Sequence, residues 1–402
     1  MTKTTSEPAP DAALVPPQPE TPSSFSESQS AWLALALAPG LGSRRILQAV
    51  ERIGSAEQIL ALPLTSLEAL NFPASAAQAI VEGKALRTAQ EEMRKVAAEG
   101  ASLVAYADED YPERLKQIFD PPPVMWVRGD VKLLARYSIA VVGTRHPTPY
   151  GTGMAEVLSR DLALRGLIIL SGMARGVDTA AHKGALAAHT PTIAVWGTGI
   201  DVIYPKENKK LAEQIIAGGG AIVSELPMGT FPAPQNFPRR NRILSGMSVG
   251  VLVVEASEHS GTRVTARCAL EQNRDVFAVP GNVTNKNAWG PNTLIKQGAR
   301  LTATWEDVWE DLPSQVRADL ESKMEIASPG QPAASLFEEA PLPDQCANVF
   351  SILRHDEALQ LDEIMEKLEP ELSSSEVFTA LFELELAGRI KQLPGKNYVK
   401  CF

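Results

Sequence analysis

Residues 139–145 read Ile-Ala-Val-Val-Gly-Thr-Arg, and residues 167–178 read Leu-Ile-Ile-Leu-Ser-Gly-Met-Ala-Arg-Gly-Val-Asp. Each stretch begins with a short apolar run and continues into a turn of small residues that contains an arginine. The segment between them, residues 151–165, has the pattern of a helix. Short apolar runs that alternate with helical segments predict βαβ units in a parallel sheet.

The same pattern continues toward the carboxyl terminus. Strands are predicted near residues 139–142, 167–170, 192–196, 221–224, 249–254, 276–279 and 300–303. The connections between them are long enough for crossover helices. The predicted fold class is therefore α/β, with a mostly parallel sheet at its centre.

Composition divides the rest of the chain. We predict a disordered, proline-rich tail at residues 1–24, a helical N-terminal domain at 25–104, the sheet domain at 105–312, a linker at 313–343 and a winged-helix domain at 344–402. The Pro-Gly-Leu-Gly turn at residues 39–42 is typical of a helix-hairpin-helix element or of a tight connection in a small bundle. The presumptive recognition helix of the winged-helix domain carries Glu376, Glu383 and Glu385, which favours a protein-docking role over contact with DNA phosphates.

Composition also excludes several classes of protein. The 402 residues carry a net charge of −10, which excludes a uniformly basic nucleic-acid binder but not a local basic patch. The sequence has neither a membrane-length apolar run nor a signal-peptide core, so we expect a cytoplasmic protein without membrane contact. The three cysteines lie far apart and the five histidines show no metal-binding spacing. We expect no disulfide framework, no metal and no cofactor.

The loops at the carboxyl ends of parallel strands face one crevice, where open α/β sheets bind ligands. In this chain they combine glycines, hydroxyls and arginines, which suit an anion because glycine allows close backbone approach and helix amino termini present free N–H groups. An aromatic residue beside basic groups suits single-stranded nucleic acid. The candidate binding residues are Gly143, Thr144, Arg145, Ser171, Gly172, Arg175, Lys206, Phe237, Arg239, Arg240, Asn241, Arg242, Ser260, Gly261 and Thr262.

Two nucleotide-binding motifs are missing. The sequence contains no Gly-x-x-x-x-Gly-Lys-Ser/Thr run, which excludes a P-loop ATPase, and the Gly-x-Gly at Gly197 lacks the third glycine of a dinucleotide fingerprint. Asp178, just before an apolar helical segment, is predicted to cap that helix.

A series of separated motifs points to one family. They are Tyr111-Pro112 with residues 120–122, Gly143-Thr144-Arg145, and residues 171–178, 197–208, 224–227, 237–242, 260–262, 280–282 and 290–295. In this order they closely resemble the bacterial DNA-processing protein A family, also called Smf. Where that family usually has Gly-Ser-Arg, this chain has Thr144, which keeps the hydroxyl group.

The resemblance implies an extended Rossmann-like sheet and a homodimer without enzymatic activity. It implies that the protein binds single-stranded DNA, shields it from nucleases and loads a RecA-type recombinase onto it for homologous recombination during natural transformation. Arg145 is the first DNA contact that the resemblance implies. Gly172, Arg175 and Lys206 follow, and then the cluster at residues 239–242.

Two other functions stay open from the sequence. One is a nucleotide phosphoribohydrolase of the lysine-decarboxylase-like class, which this chain resembles at Gly261-Thr262; Thr265, however, stands where that class has the glutamate that takes part in the chemistry. The other is a sensor that binds a small nucleotide in the same crevice, because a mononucleotide and a DNA phosphate require similar donors.

Overall fold

A computed structural model describes residues 25–258, 260–327, 343–355, 357–370, 372–386 and 389–400. The tail predicted at residues 1–24 and residues 328–342 of the predicted linker lie outside this part of the chain. Among the described residues, no helix combines the length and the apolar character needed to cross a membrane.

One large sheet lies at the centre of the described residues. Its strands are β1 (Ser102–Ala105), β2 (Val124–Gly129), β3 (Ser138–Val142), β4 (Ile168–Ser171), β5 (Thr192–Val195), β6 (Ala221–Ser224), β7 (Gly250–Val253), β8 (Asp275–Ala278) and β9 (Arg300–Leu301). Their order is β1-β2-β6-β5-β4-β3-β7-β8-β9. The strands from β6 to β9 in this order are parallel, whereas β2 is antiparallel to both β6 and β1. The predicted Rossmann-like, mostly parallel sheet is confirmed.

Strands β1 and β2 are absent from the sequence analysis. The residues before β2 are three consecutive prolines, 121–123. The prolines precede β2, so the strand's own backbone N–H groups can pair with β1 and β6. The two strands add an antiparallel edge beside β6.

The N-terminal domain consists of short helices, as predicted. They are α1 (Glu27–Ala36), α2 (Ser43–Ile53), α3 (Ala56–Leu60), α4 (Leu64–Ala69), α5 (Ala74–Val81) and α6 (Lys84–Ala98). The Gln29 side chain of α1 donates to Leu103 O at 3.0 Å and to Asp108 at 2.8 Å. The apolar core of these helices is continuous with Val124 and Trp126 of β2. The helical domain therefore packs against the β1–β2 edge.

Helices cover both faces of the sheet. They are α7 (Glu113–Lys116), α8 (Pro149–Leu164), α9 (Val177–Ala187), α10 (Lys209–Ala217), α11 (Asn236–Met247), α12 (Thr262–Glu271), α13 (Trp289–Lys296), α14 (Trp305–Glu310) and α15 (Ser314–Ala327). Because successive strand residues point to opposite faces, Ile139 and Val141 pack with α8 and α9, whereas Ala140 and Val142 pack with α11 and α12. Burial on both faces explains why the strands are continuous apolar runs in the sequence.

Helix α15 corrects the predicted linker. Residues 314–327 were assigned to that linker, but they form a helix, and Val316 and Leu320 are buried in the core that contains α8 and α9. Tyr137 also donates a hydrogen bond to Asp319 at 2.6 Å. The first half of the predicted linker is therefore part of the sheet domain.

The C-terminal domain has the predicted winged-helix architecture. Its described elements are α16 (Asp344–Ile352), β10 (Leu359–Gln360), α17 (Leu361–Leu368), α18 (Ser374–Leu386), β11 (Ile390–Leu393) and β12 (Asn397–Lys400). The three strands form an antiparallel sheet in the order β10-β12-β11. The helices enclose a separate apolar core that includes Val349, Ile364 and Leu381.

His182 is a buried titratable group under the sheet. Thr192 of β5 donates its hydroxyl proton to Ile169 O at 2.6 Å, so the Thr192 oxygen accepts from His182 Nδ1 at 2.9 Å. The other ring nitrogen, Nε2, has no hydrogen-bond partner in the part of the chain that the structure describes. Burial, together with the nearby Arg240 guanidinium, lowers the pKa of His182 to about 3. The imidazole is therefore neutral in the folded protein at physiological pH.

This neutral histidine should make stability depend on pH. The unfolded chain protonates His182 near pH 6.5, whereas the folded chain does not do so until about pH 3. The residue should therefore lower the free energy of unfolding by up to about 1.4 kcal/mol per pH unit as the pH falls through that window. We expect His182→Asn to lose this contribution in urea titrations at pH 7, 6 and 5. A stability difference between variant and parent that stays constant with pH would contradict the assignment.

Candidate nucleic-acid interface

The loops after β3, β4 and β7 are fastened to one another at the carboxyl edge of the sheet. Thr144 N donates to Glu255 O at 2.6 Å, and Val177 N donates to Thr144 O at 3.2 Å. Gly176 has a φ of +77°, and a side chain there would overlap the Thr144 carbonyl. Gly143 likewise leaves no room for a side chain, because Val177 packs directly against it. The first loop is thus held in a fixed conformation by its neighbours.

Arg145 projects from this fixed loop into solvent. Its residue is exposed, and among the described residues no carboxylate lies within ion-pair distance of its guanidinium group. The guanidinium carbon lies 5.9 Å from the centre of the Phe237 ring. The Thr144 hydroxyl beside it accepts from His146 N at 3.2 Å, so it stabilises the turn. Arg145, the first DNA contact that the resemblance implies, is therefore an exposed cation next to an aromatic ring.

A buried polar cluster lies under the loop after β4. Asp178 accepts hydrogen bonds from Gly172 N at 3.1 Å and Ala174 N at 3.2 Å. Arg240 of α11 donates to Gly172 O at 2.6 Å and also to Val195 O. Burial raises the pKa of Asp178, and the Arg240 guanidinium counteracts part of that shift. Asp178 lies inside α9 and binds the preceding loop, so its predicted role as a helix cap is wrong.

This cluster changes the roles expected of three candidate residues. Ser171 is fully buried, and its hydroxyl donates to Val141 O at 2.7 Å, between two strands. The Gly172 amide is occupied by Asp178, and a Gly172 side chain would collide with the Arg240 guanidinium. Arg240 itself is only 7% exposed. These residues shape the floor of the site, whereas the sequence analysis expected them to contact the ligand directly.

The remaining arginines of α11 differ in exposure. Arg242 is 11% exposed; it pairs with Glu225, and its Nε lies 3.2 Å from Asp120 Oδ2. Arg239 is 59% exposed, and its Nε lies 3.8 Å from Glu225 Oε1. Asn241 accepts from Arg240 Nε at 3.2 Å. Within the cluster, Arg239 is therefore the arginine available at the surface, and Arg242 anchors α11 to the loop after β6.

Aromatic side chains form one wall of the site. The Phe237 and Tyr204 rings lie 5.5 Å apart, with an angle of 40° between their planes. A side chain at Gly197 would approach Phe237 to 3.0 Å, so the glycine lets the ring lie against the β5 loop. Phe231, on the loop after β6, is 76% exposed. Tyr204 and Phe231 are absent from the sequence-predicted site; the only available signal was their position after predicted strands.

Two more exposed cations lie on neighbouring loops, Arg175 after β4 and Lys206 after β5. Arg175 pairs with Glu207, and both side chains are more than half exposed, so the pair contributes little to stability and leaves Arg175 able to exchange partners. Lys206 is exposed beside them. Asn208 donates to Met173 O at 2.8 Å and to Thr179 Oγ1 at 2.9 Å. These bonds connect the loop after β5 to the loop after β4.

These loops enclose a shallow depression of about 40 Å³. It is lined by Arg145, Gly172, Ala174, Arg175, Gly197, Thr198, Tyr204, Pro205, Phe237 and Arg240. Ser260, Gly261 and Thr262 are not among these residues, since they follow β7 on the other side of β3. The Ser260 hydroxyl is engaged locally, accepting from Thr262 N at 3.2 Å.

Known proteins resemble this chain over most of its length. It is 42% identical over 299 residues to protein Smf of Escherichia coli K12, a match that spans 74% of this chain and 77% of that protein. It is 42% identical over 218 residues to DNA processing protein DprA of Bacillus subtilis 168, which spans 54% and 73%. The X-ray structure of DprA from Streptococcus pneumoniae superposes with a TM-score of 0.64 at 32% identity, covering 71% of this chain and 98% of the other.

Two family profiles also match. The profile of the DprA winged helix domain matches residues 331–396. The profile described as DNA recombination-mediator protein A matches residues 102–313, which include every loop described above. Together with the high identity to Smf and DprA proteins, these matches confirm the resemblance found in the motifs. The chain belongs to the DNA recombination-mediator protein A family.

Proposed function

We propose that this protein binds single-stranded DNA along the carboxyl edge of its sheet and acts as a non-enzymatic recombination mediator. The observation that carries the proposal is the exposed guanidinium of Arg145, which no carboxylate of the described residues pairs with, next to the aromatic wall of Phe237 and Tyr204. Cations neutralise phosphates, and aromatic rings stack on bases whatever their sequence. A single strand offers both groups at once.

The shape of the site favours a strand over a free nucleotide. Pockets for small molecules typically enclose roughly 300–1,000 Å³, whereas the depression beside Arg145 holds about 40 Å³. A larger cavity of about 420 Å³ lies near Glu255, but its lining carries two carboxylates, Glu255 and Glu357, and one arginine, Arg354, whose guanidinium lies 3.7 Å from Glu357. A nucleotide-binding sensor would need cations and enclosure in the same place. Competition between a mononucleotide and an oligonucleotide tests this alternative directly.

The mediator role rests on family membership. A protein that holds a single strand by its backbone shields it from nucleases and can deliver it to a RecA-type recombinase. We propose these activities, a homodimeric assembly and a cytoplasmic role in natural transformation for this chain, because its family is described as recombination mediators. Thr265 is buried in α12, in place of the phosphoribohydrolase glutamate, which supports a function without catalysis.

The winged-helix domain has a surface that suits a protein partner. Phe378 is 49% and Phe382 66% exposed on α18, one turn apart. Glu376 lies on the same helix, where a carboxylate would repel DNA phosphates. We therefore assign this domain to protein docking.

Arg145→Ala should weaken binding of a single-stranded oligonucleotide by about 1–3 kcal/mol, the range for a lost charge-assisted hydrogen bond. Fluorescence anisotropy at low salt measures the effect. Arg136→Ala is the matched control, because Arg136 is also exposed but precedes β3, at the opposite edge of the sheet. Equal affinity of both variants and the parent protein would contradict the assigned site.

Salt dependence should identify Arg145 as a phosphate contact. For single strands, the logarithm of the binding constant falls with the logarithm of salt concentration by about 0.7 per neutralised phosphate. Arg145→Ala should therefore reduce the slope by about 0.7, whereas Arg136→Ala should leave it unchanged. A weaker affinity with an unaltered slope would mean that Arg145 acts on the fold of the loop and not on a phosphate.

The mediator activity can be tested with a RecA-type recombinase on single strands coated with a single-strand-binding protein. The parent protein should accelerate filament formation, and Arg145→Ala should lose most of this acceleration because it holds the strand less tightly. The Arg136→Ala variant serves as the control. Acceleration by Arg145→Ala equal to that of the parent would separate mediation from the proposed DNA site.

A further inference from the structure

The carboxyl edge of the sheet continues beyond the depression. Strand β2 is antiparallel to β6, with Trp126 opposite Ser224. The residues before Val124 therefore lie at the same edge as the loop that follows Ser224. Asp120 confirms this position, because its carboxylate lies 3.2 Å from Arg242 of α11. The next residue along the chain toward the amino terminus is Phe119.

Phe119 is a large aromatic side chain that faces solvent, since it is 73% exposed. The guanidinium carbon of Arg44, in the first turn of α2, lies 4.1 Å from the centre of its ring. Arg44 and Arg45 are both exposed, and among the described residues no carboxylate is within ion-pair distance of either. An exposed ring flanked by unpaired cations repeats the chemistry of Arg145 and Phe237.

Packing between the two domains does not by itself account for the contact between Phe119 and Arg44. A ring that served only to join the domains would be buried, but most of the Phe119 surface faces solvent. The domains are already joined nearby by Glu92 of α6, which accepts from Met228 N at 2.6 Å and from Trp126 Nε1 at 3.1 Å. Gln29 and the shared apolar core hold the same junction.

We infer that the single-strand track extends from the depression onto the N-terminal domain, where Phe119 stacks on a base and Arg44 and Arg45 contact phosphates. The inference rests on the proposed function and extends its site. The surroundings of Arg145 and of Phe119 are the two stations of this track. Arg239, which is 59% exposed, lies on α11 between them. The acidic neighbour, Asp120, is paired with Arg242, which reduces its repulsion of a passing phosphate.

The length of the track follows from the strand order. Phe119 precedes β2 and Arg145 follows β3, and these strands are separated by four steps, β2-β6-β5-β4-β3. At about 4.8 Å per step the stations lie roughly 19 Å apart. A stacked strand advances about 3.4 Å per nucleotide, so roughly six nucleotides bridge the distance. Short oligonucleotides should therefore occupy one station, and longer ones both.

The test compares variants over oligothymidylates of increasing length. Phe119→Ala/Arg44→Ala should weaken binding of a 16-mer by about 5- to 150-fold, the loss expected from one stacked base, and leave a 4-mer nearly unaffected. Arg145→Ala should weaken every length. The matched control is Arg52→Ala/Leu64→Ala, which removes an exposed arginine of α2 and an exposed apolar side chain of α4 from the same domain. Thermal unfolding of each variant verifies that the fold is retained.

A second readout locates the base directly. A 16-mer that contains a photoreactive thymine analogue should cross-link to the peptide that carries Phe119 as well as to the one that carries Phe237. Equal affinities of the Phe119→Ala/Arg44→Ala variant and the parent for the 16-mer, with no cross-link at Phe119, would overturn the inference. If Arg145→Ala still weakened binding in that case, the proposed function itself would stand. If no variant affected binding, both would fail.

Discussion

The carboxyl edge of the sheet depends on the hydrogen bonds of one buried guanidinium group, that of Arg240. From α11 it donates to Gly172 O and Val195 O, so one side chain fixes that helix relative to the ends of β4 and β5. Removing a cation from water costs free energy, and the nearby carboxylate of Asp178 offsets part of that cost. The exposed groups around it therefore sit on a rigid floor.

Helix geometry then gives three neighbouring arginines three different environments. Each residue of an α-helix is rotated by about 100° from the one before, since a turn takes 3.6 residues. Arg239 consequently faces solvent, Arg240 points under the strands and Arg242 reaches Glu225 and Asp120. The sequence presents them only as one cationic cluster. Their partners come from β4, β5 and β6, which are distant in sequence, and only the assembled sheet shows which charge remains available.

Much of the fold was accessible from the sequence because its signals are local. Apolar runs such as residues 139–142 are strands buried on both faces, and the predicted positions of the parallel strands agree with the structure. The failures have a common physical origin. Strand β2 follows three prolines and is stabilised by pairing with β1 and β6, and α15 is stabilised by tertiary packing of Val316 and Leu320 on the sheet domain. The aromatic wall was half found, because Phe237 lies beside arginines in the sequence whereas Tyr204 and Phe231 do not.

Carboxylates fix the loops at the carboxyl edge of the sheet, in a chain whose net charge is −10. Several carboxylates accept hydrogen bonds from backbone amides of these loops. The pairs are Asp178 with Gly172 N, Glu255 with Thr148 N, Asp201 with Gly229 N and Glu92 with Met228 N. These hydrogen bonds fix the loops, and one of them occupies the N–H group of Gly172, a predicted binding residue. In the proposed function, recognition of a phosphate at this edge therefore depends mainly on guanidinium groups. Because guanidinium contacts release counterions, such a site responds to salt more steeply than one built from neutral amides.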